Sequence, residues 1–155
     1  MTVTLPAATT TLIGTDTADT LTNKTIDGND NTIRDLKNYI AFNAGYDSTS
    51  TKEDVAVQSY SKIVMPSAGS ITGDQGAIET APTGAALILD IEKNGTTVYS
   101  SKPQFAAGSS TYTAGTLKTD GTEDFAAGDV LTFKITQVGS SEPGEGLTFT
   151  LETEI

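Results

Sequence analysis

Asp27-Gly28-Asn29-Asp30-Asn31 opens like a calcium-binding loop, with oxygen-bearing side chains at alternate positions. Such a loop needs glycine at its sixth position and a bidentate glutamate at its twelfth. Those places hold Thr32 and Asn38, so the segment reads as a turn or an intersubunit hydrogen-bond cluster, and no metal site is expected. The carboxylate pairs Asp90/Glu92, Glu123/Asp124 and Glu142/Glu145 have the residue types of glycoside hydrolysis, where one carboxyl protonates the leaving group. Asp90 and Glu92 share the outward face of a strand, and the others fall in loops rich in Gly and Ser. Solvated surface charge is therefore expected of all three. Tyr99 and Tyr112 fall on or near surface strands, where a sugar ring can stack; the competing reading is a half-buried packing tyrosine whose hydroxyl reaches water. The chain has no Cys and no His. That removes thiolate nucleophiles, disulfides, sulfur-bound zinc and the usual general base. Serine and lysine are present, but no Ser-x-x-Lys or Gly-x-Ser-x-Gly spacing is expected to join them, and no catalytic constellation and no cofactor is expected.

Charge narrows the partners. Twenty acidic residues stand against nine basic ones in 155, a formal net charge of -11 with a pI near 4.1. Such a chain repels phosphate backbones, so nucleic acid is an unfavourable partner. The longest notable apolar stretch, Ala85–Leu89, falls far short of the roughly 20 residues that span a bilayer, so no membrane partner is expected. The opening Met1–Pro6 lacks a basic region and a long apolar core, so no secretory signal is expected either.

The elements that would carry these residues are strands. The sequence holds 28 Thr, a β-branched and half-polar side chain that suits the outward face of a strand better than a helix interior. Residues 1–37 differ from the rest: they are rich in Thr, Asn and Asp and lack aromatics. Their scattered aliphatics include Leu5, Leu12, Ile13, Leu21, Ile26, Ile33 and Leu36. So little apolar surface does not offset a backbone entropy cost of about 1–2 kcal/mol per residue. Residues 1–37 are therefore expected to be an extended arm ordered by a partner or by copies of itself. Residues 38–155 are expected to form an all-β domain.

Within that domain, strand signals run Tyr39–Phe42, Val55–Met65 before Pro66, Ile71 and Ile78 on weaker strands flanking Gly73–Gly76, and Ala85–Glu92. Asn94-Gly95 supplies positive φ for a type I′ hairpin returning through Thr96–Ser101. Leu131, Phe133 and Ile135 alternate within Asp129–Val138, as do Leu147, Phe149 and Leu151 within Gly146–Ile155. About eight strands of this kind make an antiparallel β-sandwich, with a jelly-roll-like order expected. The expected core is Leu87, Leu89, Ile91, Leu131, Phe133, Ile135, Leu147, Phe149 and Leu151.

Thr15–Gly28, read Thr-Asp-Thr-Ala-Asp-Thr-Leu-Thr-Asn-Lys-Thr-Ile-Asp-Gly, with Asn31-Thr32-Ile33 beyond it, resembles a segment repeated in the fibres and related virion proteins of tailed bacteriophages. The later pieces Ala81-Pro82-Thr83-Gly84, Asp90–Gly95, Ala127-Gly128-Asp129 and Val138-Gly139-Ser140 are similar to a β-sandwich module of phage structural proteins. The resemblance implies a non-enzymatic virion component, a homotrimer, with an arm that attaches and a knob that projects. The chain is short for a fibre with docking domain, shaft and tip. That favours a capsid decoration (cement) protein or short head fibre on the capsid exterior, bound to the major capsid protein. A short tail fibre or receptor-binding module recognising a host glycan is the alternative. On either reading the attachment arm centres on Leu21, Thr22, Asn23, Lys24, Thr25, Ile26 and Gly28, with Leu21 and Ile26 as apolar anchors.

Overall fold

A computed structural model of the chain describes residues 36–155. The arm residues singled out above lie outside the described residues. Twelve strands follow in order: β1 (Lys37–Ala44), β2 (Gln58–Val64), β3 (Gly69–Thr80), β4 (Leu87–Lys93), β5 (Thr96–Thr97) and β6 (Tyr99–Ser101). They continue with β7 (Gln104–Phe105), β8 (Tyr112–Thr113), β9 (Thr116–Leu117), β10 (Asp124–Phe125), β11 (Val130–Gln137) and β12 (Glu145–Glu154).

One sheet runs β1-β12-β3-β10, and the other runs β2-β11-β4-β7-β8 with β5 also on β4. Every pairing is antiparallel. The pairs β1/β12, β2/β11, β3/β10 and β4/β7 are nested in sequence and fall alternately into the two sheets. A long hairpin ribbon rolled over itself gives that arrangement, which is the jelly roll. The chain is thus the antiparallel sandwich expected of it. The strand number exceeds the expected eight because β5, β6, β8 and β9 decorate the excursion between β4 and β10.

Alternation builds the core. Leu87, Leu89 and Ile91 on β4, Leu131 and Phe133 on β11, and Leu147, Phe149 and Leu151 on β12 all have no exposed surface. Ile135 is buried with them. Phe133 from one sheet meets Phe42 and Phe149 from the other, with ring centroids 4.5 and 6.3 Å apart.

Three expectations change. Ile71 and Ile78 belong to one continuous strand, β3, rather than two: Gly73 and Gly76 pass through the sheet without breaking it. Gly76 is there for room, since a Cβ would stand 2.7 Å from the Tyr112 ring. The Asn94-Gly95 turn forms with φ of 50° and 88°. Its return strand, however, pairs with β4 only at Thr96 and Thr97, and β6 then leaves to pair with β9. Lys37 lies in β1, and the Leu36 backbone bonds to Ile155, so both belong to the sandwich and not to the expected arm of 1–37.

Truncating Leu89 to Ala should cost about 2–5 kcal/mol in urea unfolding, because the site lies between two packed sheets; a change of a few tenths would contradict this packing. Asp129 gives a pH test. Its carboxylate accepts from the Ala126 amide and from Asn94 Nδ2, both at 2.8 Å, and these bonds hold its pKa below the ordinary 3.8. A depressed folded pKa contributes stability above 3.8 that is lost as pH falls through the lower folded value. The urea midpoint should drop over that window, and less steeply in Asp129→Asn; equal slopes would contradict the assignment.

Candidate functional site

A buried polar cluster surrounds Asp74. Its side chain points inward from β3 and is 4% exposed. The Tyr112 hydroxyl donates to Oδ1 at 2.5 Å, and the Gly115 amide donates to the same carboxylate at 3.1 Å. Tyr99 is 3% exposed, and its hydroxyl has no hydrogen-bond partner. Burial first, and then the Asp74 charge, raise the Tyr99 pKa far above the phenol range. Tyr112 is raised by burial and by its bond to Asp74. Both shifts favour the neutral phenol over the phenolate.

This placement corrects the sugar-platform reading. Tyr99 presents no face to solvent, and Gly115 lies so close to its ring that a Cβ there has no room. Tyr112 packs against Phe105 and Phe149, with centroids 5.3 and 6.4 Å away. Its hydroxyl meets Asp74 rather than water. The cluster ties the β6–β9 excursion to β3, which is a structural task.

Among the carboxylate pairs, Asp124 and Glu142 are exposed as expected, and Asp90 differs most. Asp90 does lie on the outward face of β4, but the following chain folds over it and leaves its side chain 2% exposed. Lys102 Nζ stands 2.7 Å from Oδ2, and Thr97 Oγ1 donates to Oδ1 at 2.6 Å. Glu92 pairs with Lys134 at 2.7 Å. Glu145 pairs with Lys52 at 2.9 Å and accepts from Thr80. Glu123 Oε2 is buried without a partner, and Asp124 accepts from Ser70. These carboxylates are mostly engaged in joining strands. Among the described residues no group of three or more His, Cys, Asp or Glu is disposed to hold a metal ion.

An open groove of about 470 Å³ crosses the outer face of the second sheet, lined by Ser59, Lys62, Glu92, Asn94, Thr132 and Lys134 among others. Ser59-Tyr60-Ser61-Lys62 has the Ser-x-x-Lys spacing of serine nucleophiles, against the expectation that no such spacing occurs. The residues sit on a strand, where positions three apart ordinarily face opposite ways. An irregularity in the β2–β11 register brings both to the groove, but no hydrogen bond joins them. Lys134 is instead committed to Glu92, which raises its pKa. Compared with protein-family models, curated proteins and solved structures, the chain matches none.

Replacing Asp74 by Ala would strand the Tyr112 hydroxyl and the Gly115 amide away from water. Urea unfolding should register a loss of roughly 3 kcal/mol. Stability within a few tenths of the parent would show that the cluster holds nothing together.

Proposed function

We propose that this protein is a structural component of a bacteriophage particle, a capsid decoration (cement) protein or short head fibre. The sandwich is the projecting knob, and the N-terminal segment is the attachment element on the major capsid protein. The observation that carries this reading is the Leu21-Thr22-Asn23-Lys24-Thr25-Ile26-Asp27-Gly28 string, with its resemblance to phage fibre segments. The jelly roll supports it by analogy, since viral capsid domains recurrently use that architecture. Charge supports it as well: at -11 the chain is suited to the outside of a DNA-filled shell rather than to its contents.

Attachment rests on few apolar side chains, so Leu21 and Ile26 with backbone pairing dominate. Lys24 in an exposed ion pair adds only about 0–1 kcal/mol. Purified protein added to undecorated heads tests the reading. Deleting residues 1–35 leaves Leu36 and its bonds to Ile155 in place, so the sandwich stays folded while binding is lost. Lys24→Ala weakens binding only slightly. A truncated sandwich that binds heads as well as the full chain does would overturn the arm as anchor.

A further inference from the structure

β1 is paired with β12 without interruption from Lys37↔Glu154 to Ala44↔Leu147, and among the described residues no strand lies on its other side. Leu36 and Ile155 exchange both of their N–H···O bonds, each 3.1 Å. That exchange fixes the phase of the ladder, because hydrogen-bonded pairs alternate along antiparallel strands. Leu36, Asn38, Ile40, Phe42 and Ala44 therefore turn their amides and carbonyls toward β12. Lys37, Tyr39, Ala41 and Asn43 turn theirs to the free edge, and all four residues are exposed.

Folded proteins guard such an edge with a short strand, a proline, a bulge or inward charges. β1 has eight residues, no proline and no register shift, and its one charge is Lys37 at the end. On the far side β8 is two residues long, and β10 covers only Gly69 and Ser70 of the longer β3. β2 also ends its sheet, and a groove of about 290 Å³ lined by Ile40, Ile63, Met65 and Ile155 opens between β1 and β2, so these two edges share one flank. None of the chain's 20 carboxylates falls in 36–46 or 55–73, which carry this flank and its two lysines, Lys37 and Lys62. The nearest carboxylates on this sheet are Glu152 and Glu154, one strand in from the edge and across from Tyr39 and Lys37, so the edge strand itself offers a second copy no negative charge.

We propose that β1 pairs with β1 of a second copy about a two-fold axis at Ile40. In this register Lys37 faces Asn43 of the second copy, and Tyr39 faces Ala41. Each such pair exchanges two hydrogen bonds, and every free amide and carbonyl of the edge is used. Sliding the strands by two residues in either direction leaves some of them unpaired. The register sets no like charges opposite each other and places a large side chain beside a small one. The two four-stranded sheets become one continuous sheet, and Ile40 meets its own copy at the mouth of the apolar groove.

The inference does not depend on attachment to a particle. It also differs in mass from the trimer that the arm resemblance implies. Sedimentation equilibrium of the full chain should show a reversible dimer of twice 16.0 kDa. Ala41→Lys, at an exposed position, sets a lysine near the axis and should weaken association by about tenfold with an unchanged circular dichroism spectrum. Amide exchange at Lys37, Tyr39, Ala41 and Asn43 should slow as concentration rises. A monomer throughout the range, a trimer, an association indifferent to Ala41→Lys, or amides protected equally in the monomer would each overturn the two-fold edge.

Discussion

The contact between Phe133 and Phe42, with centroids 4.5 Å apart, joins the two sheets and is the point on which the architecture turns. Strands β1 and β11 come from opposite parts of the rolled ribbon, and only closure of the sandwich brings these rings together. Phe149 completes the group at 5.3 Å from Phe42 and extends it toward Tyr112. A rolled ribbon makes mostly long-range contacts, so local propensity alone does not hold it; the shared aromatic centre does. Buried polar groups are held by partners from other segments.

Asp74 is the clearest instance. An inward carboxylate would be costly if it were bare, and here a phenol and a backbone amide satisfy it. Those donors come from the segment after β7, which has few apolar residues of its own, so the carboxylate recruits a decoration that hydrophobic packing alone would hold loosely. The Asp90–Lys102 pair does comparable work on the outer face, clamping the chain that follows β5. Residue types that suggest acid–base chemistry in a list thus act as fasteners between segments.

The sandwich was legible where period-2 alternation was strict. β4, β11 and β12 put Leu89, Phe133 and Phe149 inside as the pattern requires, and Asn94-Gly95 made its turn. β3 was misread as two strands because Gly73, Asp74 and Gly76 look like a break; their reasons are a ring packed against Gly76 and a carboxylate with tertiary partners. The burial of Tyr99 and Asp90 was invisible for the same reason. Outward faces are covered by segments remote in sequence, and periodicity along one strand carries no information about them. The free edge of β1 likewise depends on strand order, which alternation does not specify.

The proposed virion role and the proposed pairing of β1 edges are separate claims, and each has its own test. The most direct test of the virion reading is an image of particles carrying an epitope-tagged chain. The account predicts label in many copies at regular positions over the capsid exterior. Label confined to a few copies at the tail, or absent from purified particles, would contradict it.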